Sequence, residues 1–219
     1  MPDTVIEELL MSATPASSSP IVLYGFPLSG HVHRVRLFLT LLGVAYHEVT
    51  IDLTKGAHQT PEFRARNVFG QVPVIEDRGV TIADSNAILV YLALTYDKAR
   101  RWLPQDAIEQ AQVQRWLSAA AGALNFGPAA ARVSVLFGRL QNPDCAVIAD
   151  RLFATMEAHL KNRSWLAADH ATIADLALYT YTAHAREGGI SLEAYPLIEQ
   201  WIERVEALPK FIGMVRSPA

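Results

Sequence analysis

Side chains capable of anion or proton chemistry crowd one short stretch, YGFPLSGHVHRVRLFL, in which an apolar run gives way to a helical pattern. The hydroxyl of Ser29, the small Gly30 and the imidazoles of His31 and His33 lie at this junction. A helix N-terminus favours negative charge, and a hydroxyl placed there can donate a hydrogen bond to an anion. The same hydroxyl is also a common helix cap, so capping alone is the alternative role for Ser29.

The two histidines do not predict a metal site. His31 and His33 are two residues apart, so they do not face each other on a helix, and no second cluster of ligands accompanies them. They are expected to line a site or to face solvent. The single cysteine, Cys145, rules out an intrachain disulfide or a CxxC pair, suits a reducing cytosol, and is expected to be a packing residue.

Composition excludes several functional classes. With 219 residues, 51% hydrophobic content and a net charge of -3, the chain can bury the core of one domain or two small ones. Its arginine pairs are scattered among acids and form no basic stripe, so nucleic acid is not an expected partner. No apolar run approaches the roughly 20 residues that span a bilayer. Residues 1–20 lack the features of a signal peptide and are predicted to be a flexible tail.

Residues 21–97 are predicted to fold as βαβ, a helical link, and ββα. The predicted elements are a strand at 21–25, a helix through Val32 and Val35 ending at Gly43, a strand in AYHEVTID, a short helix at 61–66, the strands VPVIE and VTIA joined by a DRG turn, and a helix capped by Asp84 and Ser85. After a linker at 98–104, residues 105–219 read as helices only. Thr172 and Asp175 form a predicted capping box. The sequence therefore predicts an α/β unit followed by an all-helical bundle.

Four motifs in this order resemble the cytosolic glutathione transferase family over about residues 21–215. They are LYGFPLSGHVHRVRLFLTLLGVAY, KGAHQTPEFRARNVFGQVPVIED, ADSNAILVYLA and TIADLALY. The resemblance implies a thioredoxin-like N-terminal domain that binds glutathione as co-substrate, without a metal. It also implies a cytoplasmic homodimer.

Ser29 matches the activating hydroxyl of the serine-type members, which are theta-, zeta- or nu-like. A free thiol has a pKa near 8.5, so Ser29 would stabilise the glutathione thiolate at neutral pH. Tyr24 is the rival hydroxyl, but it lies within the strand, where an apolar structural role is expected. The zeta-like version is weakened because that class has Ser-Ser-Cys where this chain has Ser29, Gly30 and His31.

The remaining glutathione contacts are also implied by the resemblance. Pro73 would be a cis-proline that turns the Val72 backbone toward the cysteinyl unit. Ser85 would hold the γ-glutamyl carboxylate, with Asp84 beside the γ-glutamyl amine. At the glycyl carboxylate the resemblance places His58 and Gln71, with Lys55 as a second candidate for the charge.

An acceptor pocket is expected between the two halves. Its candidate lining residues are Phe26, Leu28, His31, Trp116, Ala120 and Phe126, although the same apolar stripe would also serve as bundle core. These residues favour transfer of glutathione to a small hydrophobic electrophile. The alternatives are a glutathione-dependent isomerase, dehalogenase, peroxidase or disulfide-bond reductase, or a non-catalytic binding module.

Overall fold

A computed structural model describes residues 20–217, so most of the predicted tail lies outside the described residues. Within these described residues, the first half contains four strands, three helices and one 3-10 turn. In chain order these are β1 (Ile21–Gly25), α1 (Gly30–Leu42), β2 (Tyr46–Thr50), the 3-10 turn (Ala57–Gln59), α2 (Pro61–Arg66), β3 (Val74–Asp77), β4 (Val80–Ala83) and α3 (Ser85–Tyr96).

The four strands form one mixed sheet in the order β2-β1-β3-β4. β1 pairs parallel with β2, which requires the crossover helix α1, and antiparallel with β3. β3 and β4 form a hairpin. Its turn is Arg78 and Gly79, both with positive φ, so Asp77 belongs to β3 and the predicted three-residue turn is one residue too long.

Helix α1 begins and ends where its sequence signals lie. Ser29 is the N-cap, and Gly43 ends the helix with a φ of 68° that favours glycine. Between them Val32, Val35 and Leu39 are completely buried. Burial of each such side chain contributes about 1.5–3 kcal/mol, which anchors α1 in the core.

The second half is helical throughout its described part. It contains α4 (Ala107–Ala119), a π-helix (Ala120–Ala129), α5 (Ala130–Leu136), α6 (Asp144–Leu160), α7 (Ile173–Ala183), a 3-10 turn (Ala185–Gly188) and α8 (Pro196–Glu206). The capping box predicted for α7 is confirmed, with both reciprocal bonds between Thr172 and Asp175. Cys145 is buried in the first turn of α6, as expected for a packing residue.

The π-helix was not predicted. It interrupts what the sequence presents as one amphipathic helix and contains Pro128, which has no N–H to donate. π-helical turns are rare and often mark functional sites. The segment joins α4 to α5 without a break, and both α4 and the π-helix pack against α7.

One apolar core runs through both halves. Helix α1 packs against α7 of the bundle, and His33 lies completely buried at this contact. The Nε2–H of His33 donates to the carbonyl of Ile212 at 2.9 Å, while Nδ1 lies 2.9 Å from the hydroxyl of Thr180. The prediction that His33 lines a site or faces solvent is therefore wrong, because its ring ties α1 to the bundle.

Candidate active site at two helix N-termini

Ser29 lies at the N-terminus of α1, as the sequence predicts. Its Oγ accepts a hydrogen bond from the Val32 N–H at 3.3 Å, and its own N–H donates to the Phe26 carbonyl at 3.0 Å. The cap bond uses a lone pair of the hydroxyl, so the hydroxyl proton remains available to a ligand. The side chain is half-buried, which leaves it accessible. Capping and anion stabilisation are thus compatible roles here.

Glycine is needed at position 30 because a side chain that the sequence did not indicate packs where a Cβ would lie. A Cβ on Gly30 would lie 2.7 Å from Cζ of Tyr181, a buried residue of α7. Burial raises the pKa of Tyr181, and the nearby charges of Arg34 and Arg132 oppose that shift. The small residue therefore admits a bundle side chain to the end of α1.

A second hydroxyl lies at the N-terminus of α3. Asp84, with a φ of 72°, caps this helix by accepting from the N–H groups of Asn86 and Ala87, both at 2.9 Å. Ser85 follows it and is nearly buried. A non-glycine residue at positive φ is costly and is often found at functional sites. The arrangement is an anion-binding helix N-terminus with a serine in its first turn.

Arg34 lies beneath this second site and was missed in the sequence, where it belonged to an arginine pair without an assigned role. Its Nη1 donates to Ser85 Oγ at 3.2 Å and to Asn86 Oδ1 at 2.9 Å. Nε and Nη2 are buried without a hydrogen-bond partner among the described residues. Burial lowers the pKa of Arg34 to about 10, so the guanidinium stays charged at neutral pH. This buried cation favours a carboxylate at Ser85.

His31 joins the second site to the bundle. Its Nδ1 lies 3.4 Å from Ser85 Oγ, its Nε2 lies 3.3 Å from Asn125 Oδ1 in the π-helix, and its ring packs edge-on against Tyr181. Burial lowers the pKa of His31 to about 3, with Arg34 adding to the shift, so the ring is neutral. His31, in the first turn of α1, thus connects the N-terminus of α3 with the bundle.

The residues expected at the cysteinyl and glycyl ends lie between β2 and β3, some before α2 and some after it. The Val72–Pro73 peptide bond is cis, which confirms that expectation, and Val72 lies just outside the paired part of β3. His58 Nδ1 is buried and has no partner among the described residues, whereas Gln71 is exposed. Lys55 pairs with Asp52 at 3.4 Å on the surface.

Tyr24 does not lie with the candidate site residues. Its hydroxyl donates to Glu76 Oε2 at 2.9 Å, and Arg66 lies over its ring. The expected structural role therefore holds, but it is polar rather than apolar.

The expected acceptor residues divide into two groups, and the first contains Phe26, Leu28 and Phe126. Phe26 packs against Phe137 with ring centroids 6.3 Å apart, and the Leu28 carbonyl accepts from Arg132 Nη1 at 2.8 Å. Phe126 is exposed in the π-helix beside Asn125. Phe137 and Arg132 were not identified in the sequence, because neither belongs to a local motif.

The structure does not bring Trp116 or Ala120 to this group. Ala120 is completely buried in the core. Trp116 lines a separate cavity of about 500 Å³ between α4 and α6, with Leu152 and His159. The helical stripe that suggested them is therefore bundle packing at these two positions.

Two further properties concern the described residues. None of their helices is long and apolar enough to cross a membrane. Within residues 20–217, no three His, Cys, Asp or Glu side chains are grouped in a way that could hold a metal ion.

Comparisons with known proteins match both halves. The family model for "Glutathione S-transferase, N-terminal domain" matches residues 19–94, and that for "Glutathione S-transferase, C-terminal domain" matches residues 142–209. Glutathione S-transferase 3 of Zea mays is 34% identical over 210 residues, covering 88% of this chain and 92% of the relative.

Two solved structures also align with most of this chain. A possible glutathione S-transferase from Rhodopseudomonas palustris aligns with a TM-score of 0.82 at 34% identity, covering 91% of this chain and 100% of that one. A glutathione transferase homologue from Drosophila mojavensis, with bound glutathione, aligns with a TM-score of 0.80 at 27% identity, covering 87% and 89%.

Proposed function

Because this chain belongs to the glutathione S-transferase family, we propose that it binds glutathione, stabilises the thiolate and adds it to a small hydrophobic electrophile. One observation supports this most directly. Two helix N-termini each carry a serine, Ser29 as the N-cap of α1 and Ser85 as the first residue of α3, and His31 in the first turn of α1 contacts Ser85. The first serine suits a sulfur anion and the second suits a carboxylate.

Ser29 is assigned to the sulfur. Its hydroxyl proton donates to the thiolate, and the N-terminus of α1 adds a positive field. The thiol proton leaves to solvent, and the sulfur then attacks an electrophilic carbon of the acceptor. With a chloronitrobenzene the new bond is a carbon–sulfur bond, and chloride leaves with its electron pair. This role makes the chain a serine-type member of the family.

The γ-glutamyl end is assigned to the second helix N-terminus. Ser85 and the amides of α3 would bind the carboxylate, with the buried charge of Arg34 behind them. Asp84 is exposed and opposite in charge to the amine of the same unit. His58 and Gln71 are assigned to the glycyl carboxylate and the Val72 backbone to the cysteinyl unit.

The acceptor is assigned to Phe26 and Leu28, which precede Ser29, to Phe137 packed on Phe26, and to the exposed Phe126 of the π-helix. These side chains are apolar, and their supporting loop is fixed by the contacts of Phe26 and Leu28. We also propose the division into domains at 21–97 and 105–219, a homodimer and a cytoplasmic location, as the family resemblance implies.

Turnover tests the proposal. Wild-type protein is assayed with glutathione and a chloronitrobenzene, together with hydroxyethyl disulfide and an organic peroxide. Ser29→Ala should lower kcat/KM by about 10²–10³-fold, because it removes one preorganised donor to an anion. Ser118→Ala, an exposed serine of α4, is the matched control. Unchanged turnover in Ser29→Ala would reject the serine assignment.

The other activities are distinguished by the same panel. Preferred turnover of the disulfide or the peroxide would replace conjugation with a reductase or peroxidase reaction at the same thiolate. Calorimetry without a glutathione signal at millimolar concentration would instead support a non-catalytic binding module.

A further inference from the structure

Arg132 of α5 makes a buried junction directly behind the loop that carries Ser29. Its side chain is 1% exposed, and its guanidinium donates through three nitrogens. Nη1 donates to the Leu28 carbonyl at 2.8 Å, Nε to Glu187 Oε2 at 2.8 Å and Nη2 to Ser217 Oγ at 2.9 Å. Leu28 immediately precedes Ser29, so the backbone of the proposed active-site loop is held from the bundle.

The other side chains of the junction, Ser217, His184 and Glu187, also form hydrogen bonds among themselves. Ser217 Oγ donates to Glu187 Oε2 at 2.5 Å, and His184 Nδ1 lies 2.6 Å from Glu187 Oε1. Burial by itself would raise the pKa of Glu187, but bonds from Ser217, His184 and Arg132 lower it to about 2. The carboxylate is therefore ionised at neutral pH, and the junction is an ion pair with a serine shared between both partners.

Ser217 belongs to the C-terminal segment, residues 211–217, which follows α8. This segment is attached to the first half at a second point, because the Ile212 carbonyl accepts from His33 Nε2 at 2.9 Å. His33 lies in α1, four residues after Ser29, and its N–H donates to the Ser29 carbonyl at 2.9 Å. The C-terminal segment thus contacts α1 directly and the preceding loop through Arg132.

We propose that Arg132 is a positioning residue for Ser29, and that the C-terminal segment holds it in place through Ser217 and Glu187. Arg132 does not touch the reacting atoms. It acts through the Leu28 carbonyl, which fixes where the Ser29 hydroxyl points. This inference rests on the proposed role of Ser29.

The test uses Arg132→Lys and Ser217→Ala in the full chain. Lysine keeps the charge, but its ammonium group cannot hydrogen-bond to Leu28, Glu187 and Ser217 at once, because it lacks the planar guanidinium of arginine. Ser217→Ala removes the hydroxyl that bonds to Arg132 and Glu187, and it changes no residue of the apolar core. Ser134→Ala is the matched control, since this α5 hydroxyl bonds only the Ala130 carbonyl of its own helix among the described residues.

Two measurements separate positioning from a purely structural role. The first is the pH dependence of the absorbance of bound glutathione thiolate. A displaced hydroxyl should raise the thiol pKa by about one unit in both variants, so that kcat/KM falls up to about tenfold at low pH and recovers at high pH. Loss of folded protein would lower the rate equally at all pH values.

The second measurement is amide hydrogen exchange without glutathione. Exchange over residues 26–33 should become about tenfold faster in Arg132→Lys and Ser217→Ala, and should not change in Ser134→Ala. Unchanged exchange and an unchanged thiol pKa in both variants would overturn the inference while wild-type turnover stands. A wild-type protein that shows no thiolate would overturn the proposed function instead, and with it the positioning role.

Discussion

At the scale of single residues, two serines at helix N-termini have different surroundings, one as the N-cap and one as the first residue of its helix. Ser29 Oγ accepts one backbone bond, whereas Ser85 Oγ contacts both Arg34 and His31. A sulfur anion needs one accessible donor, and a carboxylate benefits from a nearby fixed cation. The neighbours, rather than the residue type, therefore distinguish the two proposed roles.

Ser85→Ala should weaken glutathione binding with little change in kcat. A hydrogen bond to a charged group contributes about 1.5–3 kcal/mol, which corresponds to a rise in KM of about 10–150-fold. Steady-state kinetics with glutathione measure the change, and Ser118→Ala is the control. Cysteinylglycine lacks the γ-glutamyl unit, so its KM should not differ between wild type and Ser85→Ala. An equal loss with both thiols would contradict the assignment of Ser85.

At the scale of elements, local signals predicted where helices begin and end. Gly43, Asp84 and the pair Thr172 and Asp175 act through residues within four positions, and each lies at its predicted helix end. The residues missed in the sequence act over long separations. Arg132 is 104 positions from Leu28, and no local pattern encodes such a contact. The same reason explains why the sequence could not divide the stripe through Trp116 between an acceptor pocket and the bundle core.

The contact of α1 with α7 gives a prediction at this scale. Gly30→Ala should lower the free energy of unfolding by about 1–3 kcal/mol, because the new methyl overlaps the buried ring of Tyr181. Gly122→Ala in the π-helix is the matched control, since its Cβ would meet nothing within 4 Å. That variant should be neutral or more stable by about 0.5–1 kcal/mol. Urea unfolding measures both, and equal stability of the two variants would contradict the packing argument.

At the scale of the whole molecule, buried polar groups link the two halves. His33 connects α1 to α7 and to the C-terminal segment, and His31 connects Ser85 to the π-helix. Burial lowers the pKa of His33 to about 4, so the folded protein holds this ring neutral. The sequence predicted the two halves from their periodicity, but it did not predict that the histidines join them, because that depends on the packing of distant helices.

The linked halves should lose stability in mild acid. Unfolded His33 takes up a proton below about pH 6.5 and the folded ring does so only near pH 4, so the free energy of unfolding should fall as pH drops through this window. His33→Gln should take up about one proton fewer on unfolding over the same range. Urea unfolding across pH measures this. A slope in His33→Gln equal to that of the wild type would contradict the account.

The central claim is that Ser29 stabilises the thiolate of glutathione, and titration of bound glutathione by its thiolate absorbance tests it most directly. Wild type is compared with Ser29→Gly, because glycine remains an acceptable N-cap and the fold is kept. We expect substantial thiolate on the wild type at about pH 6.5, and bound glutathione on the variant should titrate near the free-thiol value of about 8.5. Identical titration curves for the two proteins would contradict the claim.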